Sequence, residues 1–245
     1  TTCPGIGALG NADTDSHISL EGDDWGYGFN VGVLFQPDAR TRLGMHYRSR
    51  VELTFEGDAD YTVDPRLEPA AAAAGRLRDA GFEADLTLPD SFSISSWQRI
   101  SDEWAMMGDI TWTNWSVFDE LVAEFDDGAP PLRVPENWED SWRFSLGMTW
   151  TASPAWQLRF GAAYDQGAVD SPRDRSPRIP DQDRVWASAG LSWTPAQNLV
   201  VDAAYTHLFI DEGRTAHPDP ISGHLLQGDF DTAVDILSTQ VRWSF

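Results

Sequence analysis

The sequence is poor in cysteine, in basic charge and in long apolar runs. Cys3 is the single cysteine among 245 residues, which excludes an intrachain disulfide framework and a cysteine-built metal site. Lys and Arg together number 17 against 39 Asp and Glu, for a formal net charge of −22 and a pI near 4.3. Such a chain repels phosphate backbones and anionic membrane surfaces, and no local basic patch offsets the repulsion, so nucleic acid is excluded as a partner. No run approaches the roughly 20 apolar residues of a membrane helix, and mean hydropathy is −0.38. That average leaves membrane strands open, because a spanning strand needs only about 10 residues and every second one faces lipid. The stretch Thr1 to Gly10 has no charged start followed by an apolar segment. It does not read as a signal peptide, and the expectation is that the signal was removed or the front of the protein is missing.

What is present is alternation. The composition, 41% hydrophobic and 12% aromatic, suffices for one medium-sized domain over residues 1–245. From Trp25 to Phe35 the odd positions are Trp25, Tyr27, Phe29, Val31, Val33 and Phe35, the period of two of a strand with one apolar face. From Arg42 to Glu56, Leu43, Met45, Tyr47, Val51, Leu53 and Phe55 oppose His46, Arg48, Arg50, Glu52 and Glu56. The same contrast recurs at Trp104–Thr113, Trp142–Trp150, Trp156–Asp165, Arg184–Trp193, Val201–Thr206 and Leu237–Phe245, and more weakly at His17–Gly22 and Phe92–Arg99. About ten strands are expected.

Connections alternate in length. Short ones fall at Gln36–Thr41, Ser101–Glu103, Ala152–Ala155 and Pro195–Asn198; long ones run through Asp58–Leu88, Asp126–Asp140, Ala168–Asp183 and Asp211–Asp231. Short turns at one end and long loops at the other describe an up-and-down outer-membrane barrel with its long loops outside the cell. In the first long loop an alanine run between Pro69 and Gly81 reads as one short surface helix, proline near its start and glycine past its end.

A soluble acidic β-sandwich also alternates. Three features favour the all-β transmembrane antiparallel barrel. Aromatics (Trp25, Trp104, Trp112, Trp142, Trp150, Trp156, Trp193, Trp243) sit near the ends of the apolar faces, as membrane girdles require. The opposite faces carry Arg48, Arg50, Asp109, Arg143, Arg159, Asp165, Asp202 and Arg242, which a sandwich core could not bury unpaired but a wet lumen holds. The chain stops at Trp243-Ser244-Phe245 in phase with the apolar face, the ending that outer-membrane strands present to the assembly machinery.

Four segments carry a resemblance to a known family. Gly22–Asp58, Leu88–Leu121, Val134–Trp150 and Arg178–Trp193, with the terminal phenylalanine, are similar in order and spacing to the FadL-type outer-membrane transporters of long-chain fatty acids. The resemblance implies a barrel of fourteen strands around an N-terminal hatch, a greasy capture groove in the extracellular loops, a lumenal pocket and sideways release near the third strand. This chain then corresponds to a C-terminal portion, without the hatch and first strands. It implies a monomer in the outer membrane of a Gram-negative bacterium, in contact with lipid, lipopolysaccharide and the barrel-assembly machinery, moving long-chain fatty acids by binding and passive diffusion and requiring no cofactor.

The residues themselves offer no enzyme. His17, His46, His207, His217 and His224 are scattered, and no triad stands out. The pairs Asp126-Asp127 and Glu139-Asp140 read as solvated loop edges, not calcium sites. A fatty acid needs an apolar channel and a cation for its carboxylate; Arg48, Arg50, Arg143, Arg159 and Arg184 are the lumenal candidates, each with an ordinary role as partner to a lumenal acid. Arg178 and Arg184 flank Ile179–Asp183, a motif expected to shape a loop packed in the lumen. Leu67, Leu77, Phe82 and Leu132 are the candidates for first capture, and Trp243 and Phe245 for the assembly signal. The rival readings are an aromatic or alkane hydrocarbon channel of the same family, a soluble carbohydrate-binding sandwich and a barrel with a purely structural role.

Overall fold

The computed structural model describes residues 17–74, 78–218 and 225–245; Cys3, Leu77 and His224 lie outside them. In chain order the strands are β1 (His17–Asp23), β2 (Asn30–Phe35), β3 (Thr41–Arg48), β4 (Val51–Thr62), β5 (Ala80–Leu88), β6 (Ser91–Arg99), β7 (Trp104–Thr113), β8 (Glu120–Phe125), β9 (Leu132–Pro135), β10 (Ser141–Ser153), β11 (Trp156–Asp165), β12 (Arg184–Ala196), β13 (Leu199–Ile210), β14 (Gly213–Pro218), β15 (Leu225–Phe230) and β16 (Ala233–Trp243). Helix α1 (Glu68–Ala74) follows β4, and a 3-10 turn covers Trp115–Val117. The chain divides into two compact units, one drawn from Thr1–Tyr27, Glu52–Thr87 and Glu120–Val134, the other from Gly28–Val51, Leu88–Asp119 and Pro135–Phe245.

The larger unit is a nine-stranded antiparallel sheet in the order β16-β13-β12-β11-β10-β7-β6-β3-β2, with β14 and β15 paired as a separate hairpin. The short links, residues 36–40, 100–103, 154–155 and 197–198, each join neighbouring strands of this sheet at one end, as the alternation of loop lengths predicts. Directly opposed residues share a face, so the register sorts the side chains. One row reads Val33, Met45, Ile94, Ile110, Phe144, Tyr164, Val185 and Phe209 across eight strands; the row one residue along reads Gly32, His46, Ser93, Thr111, Arg143, Asp165 and Arg184. Followed to its edges, the polar face holds seven arginines (Arg42, Arg48, Arg99, Arg143, Arg159, Arg184, Arg242) and three aspartates (Asp109, Asp165, Asp202).

The apolar face is belted at both ends. At the short-turn end Trp104 stacks on Trp150 at 5.5 Å and Trp156 on Trp193 at 5.9 Å; at the other end Trp112 opposes Trp142. Trp104 and Trp112 are eight residues apart on β7, about 27 Å along a strand. A tilt of roughly 40° shortens this to about 21 Å, near the apolar band of an outer-membrane barrel. The large apolar side chains stay exposed, Leu146 at 65% and Val241 at 67%, as a lipid-facing surface requires.

The smaller unit is a five-stranded sheet, β1-β4-β5-β8-β9. Its buried apolar positions are alanines, Ala59, Ala84 and Ala123, the last two directly opposed, while Glu83 and Glu124 oppose each other on the other face. Strands β1 and β4 come so close at Gly22 and Gly57 that a Cβ on Gly57 would lie 1.9 Å from the Glu21 carbonyl oxygen.

Several expectations are corrected here. The strands exceed the expected ten because the loop predicted at Asp58–Leu88 holds the end of β4, helix α1 and β5, the loop at Asp126–Asp140 holds β9, and the loop at Asp211–Asp231 holds the β14–β15 hairpin; β8 was not anticipated at all. Residues 25–29 are not in a strand: the Trp25 and Thr54 amides donate to the Asp24 carboxylate and the Phe29 amide to Ser49 Oγ, and the strand expected from Trp25 begins only at Asn30. The single strand expected from Arg42 to Glu56 breaks at Ser49-Arg50: β3 ends its pairing with β2 and β6 at Arg48, and β4 starts at Val51 and pairs with β1 from Glu56 onward. Gly81 lies within β5 instead of capping the helix, its amide donating to Asp126 Oδ1.

Candidate ligand pathway

The polar face and the loops at its long-loop end are assembled by a few buried polar groups. Asp90, immediately before β6, is 7% exposed. It accepts from Asn114 Nδ2 at 2.9 Å, Tyr47 Oη at 3.3 Å and Arg50 Nη2 at 3.4 Å, tying together the ends of β3, β6 and β7. Arg175 is buried in the loop before β12, and its guanidinium donates to three backbone carbonyls, Val169 at 2.7 Å, Arg214 at 2.8 Å and Asp181 at 3.1 Å. Thr215 returns a bond to the Arg175 carbonyl. Loop 168–183 and the β14–β15 hairpin are thereby one packed element.

Residues 136–138 pack into the same region. Asn137 adopts a left-handed backbone with φ 48°, a conformation asparagine tolerates better than most residues, and its Nδ2 donates to Asp174 Oδ1 at 2.8 Å. Trp138 packs edge-on against Trp115 and Phe118, each at 4.9 Å. Glu136 is buried and accepts from Trp138 Nε1 at 3.1 Å. Burial pushes its carboxyl up, against the Trp138 bond and the charges of His217 and Arg178. A carboxyl raised by folding holds its proton more tightly in the folded state. Its stabilising contribution is full below the ordinary glutamate range and is lost as pH rises through the raised value. Glu136→Gln should therefore remove that pH dependence and, at neutral pH, slow amide exchange over residues 135–140 severalfold; faster exchange at pH 7 would contradict the sign.

The sequence-predicted residues fall in different settings. Arg184 bridges Asp165 at 3.1 Å and Asp181 at 3.2 Å. Arg159 bonds Asp202 at 3.3 Å and Gln157 at 2.7 Å, and Asp202 also takes Arg242 at 3.4 Å and Ser192 Oγ. Arg48 donates to Asn30 Oδ1 at 3.1 Å, and Arg143 sits in register between Thr111 and Asp165. Arg50 is not on the polar face as expected: it stands in the break between β3 and β4, held by Asp90. Arg178 lies close enough to bias the Glu136 carboxyl, so both arginines flanking the Ile179–Asp183 motif face acids. Phe82, on β5, opposes Phe125 and lines a 480 Å³ cavity with glycines and carboxylates. Leu67 precedes α1, in a turn where Arg66 holds the Asp64 carboxyl at about 2, and Leu132 opens β9. Trp243 and Phe245 are exposed. The acidic pairs are not merely solvated: Asp126 caps the Gly81 amide, and Asp140 accepts from Trp112 Nε1 and the Ser116 amide. Asp90, Arg175, Glu136 and the pair Arg42 and Arg99 were missed. Trp97, directly opposite Arg42 and two residues before Arg99, was the one signal available for those two.

A family model described as outer membrane protein transport protein (OMPP1/FadL/TodX) matches residues 3–245. The chain belongs to this family. A long-chain fatty acid transport protein of Escherichia coli O6:H1 is 37% identical over 201 residues, 79% of this chain and 45% of the relative. A putative outer membrane protein of Neisseria meningitidis serogroup B is 30% identical over 258 residues, 98% of this chain and 55% of the relative. Among solved structures, a Pseudomonas aeruginosa FadL homologue superposes with a TM-score of 0.84 at 24% identity, covering 98% of this chain and 57% of that one. The Pseudomonas putida toluene transporter TodX does so at 0.60 and 17%, covering 92% and 52%. The chain thus spans about half the length of the relatives it matches, and it is an outer-membrane β protein of the FadL type, not a soluble sandwich.

Proposed function

We propose that the protein of which this chain forms part moves long-chain fatty acids across the outer membrane, by capture at the long loops and diffusion along the polar face, without covalent chemistry. The observation that carries this reading is the two-faced nine-stranded sheet: aromatic belts and exposed aliphatics on one side, seven arginines against three aspartates on the other. A wall of this kind sits in lipid and offers its other side to an amphiphile with an anionic head. The sequence likeness to the E. coli long-chain fatty acid transport protein supports the same substrate class. The test is uptake. In cells deprived of their own long-chain fatty-acid transporter, the full-length protein should restore growth on oleate and uptake of labelled oleate. Restored uptake of toluene or dodecane without oleate would replace the fatty-acid reading with a hydrocarbon one, and restoration of neither would remove the transport reading.

A further inference from the structure

The apolar face of the nine-stranded sheet is interrupted at one place. Traced through the register, its strand residues among the described ones are apolar, glycine or neutral polar, except for Asp235 on β16 and His207 directly opposite it on β13. A charge facing lipid is costly at mid-membrane and tolerated only near the interfaces. Asp235 stands eight residues before Trp243 on β16, the spacing that separates Trp112 from Trp104 on β7. It therefore takes on β16 the level of the aromatic belt at the long-loop end.

The groups around it are arranged for hydrogen bonding outward. Tyr205 Oη donates to Asp235 Oδ1 at 2.5 Å, and His207 Nδ1 lies 2.7 Å from the same oxygen. Both partners fall on Oδ1, so Oδ2 is open among the described residues. A proton on Nδ1 serves the bond to the carboxylate and leaves Nε2 of the imidazole an acceptor. Tyr205 and Phe209, two residues to either side of His207, are exposed on the same face, and the Phe209 ring meets the imidazole edge-on at 4.3 Å. The row beyond His207 continues as Ala187 and Ala162, whose short side chains leave the cluster open along the sheet.

Two outward acceptors call for a ligand with hydroxyl donors, and two exposed rings call for one with a flat apolar side. A sugar has both: its hydroxyls donate to Oδ2 and Nε2 while its C–H face lies on a ring. A phosphate head meets the Asp235 charge on a face that carries no arginine, and an amine head uses the carboxylate alone. We propose that Tyr205, His207, Phe209 and Asp235 hold the sugar headgroup of a glycolipid in the bilayer leaflet that meets the long loops. The site lies on the face opposite the polar one and is independent of the substrate that the protein moves.

Three lipids with the same acyl chains but different heads separate the possibilities: diglucosyl diacylglycerol, phosphatidylethanolamine and phosphatidylglycerol. Each is titrated onto the full-length protein in a detergent without a sugar head. Wild type should prefer the diglucosyl lipid; Asp235→Leu/His207→Phe should weaken it about tenfold and leave the other two unchanged, their retained binding showing that the variant is folded. Asp235→Asn, which keeps the volume and an acceptor for Tyr205, carries the same comparison with a smaller loss. Free maltose should not displace the diglucosyl lipid at equal concentration; displacement would make the ligand a soluble saccharide and overturn the glycolipid. A wild-type preference for either phospholipid, or variants that weaken all three lipids equally or none, overturns the sugar site and leaves the transport reading standing.

Discussion

Arg175→Met should loosen the loop before β12 more than any other single change at the long-loop end, by about 3–5 kcal/mol of local stability. Arg175 is 6% exposed, and its guanidinium makes three bonds to backbone carbonyls, two in its own loop and one in β14. Burial draws its pKa down, with Asp181 and Asp170 pulling the other way, so the buried charge is tolerated because all three bonds form together. Bonds to a charged group contribute roughly 1.5–3 kcal/mol each, and carbonyls left buried without a donor carry a further penalty. Methionine fills much of the volume and donates nothing. The effect is confined to the element that unfolds locally, so the expected readout is fast amide exchange over residues 169–183 and 213–218 with the nine-stranded sheet unchanged. Arg175→Lys keeps the charge but cannot reach three carbonyls at once, and should fall between the two. Exchange in Arg175→Met no faster than in wild type would mean that the loop is held by its other contacts.

Strands β7, β10, β11 and β12 of the larger sheet were legible because large side chains mark their apolar face over ten or more residues. The girdles followed from the same pattern, since tryptophan recurs at the ends of β7, β10, β11 and β12. The smaller sheet was not legible for the opposite reason. Its inward positions are Ala59, Ala84 and Ala123, which bury little area and give hydropathy nothing to alternate against, so β5 and β8 read as loop. The break at Ser49-Arg50 was hidden for a third reason: the apolar alternation runs straight through it, and what ends β3 is a change of partner strand, which no local pattern records. Among the site residues, those on strands could be assigned to a face by parity alone, and Arg48, Arg143, Arg159 and Arg184 were placed correctly in that way. Arg50 was misplaced because parity was carried across the break. Asp90, Glu136 and Arg175 stand outside strands; all three matter through burial, and Asp90 and Arg175 also through partners 24 to 43 residues away, a distance over which sequence spacing carries no information.

Asp90→Ala should cost about 2–4 kcal/mol and part the ends of β3, β6 and β7. The carboxylate is nearly buried and collects an amide, a phenol and a guanidinium from beyond each of its neighbours. Alanine strands those donors, while Asp90→Asn keeps one acceptor for Asn114 and loses the charge that Arg50 answers and the oxygen to which Tyr47 donates, so the order of damage should be Ala above Asn. Arg50 is half exposed, which limits its share, and the 3.3 and 3.4 Å bonds are the weaker ones; the Asn114 bond at 2.9 Å carries most of the loss. The pH dependence fixes the mechanism. Burial by itself would raise the carboxyl, but the Asn114 bond, the backbone bond at its own amide, the Arg50 charge and the Tyr47 bond together hold it below the usual aspartate range. A carboxylate lowered by folding stabilises above its unfolded value of about 3.9 and stops doing so as pH falls through the lowered one. Urea titrations of wild-type and Asp90→Ala protein in detergent should therefore differ most at neutral pH and converge as pH is taken down through and below about 3.9. A gap of the same size at both ends of that range would mean that alanine acts through lost volume and not through lost charge.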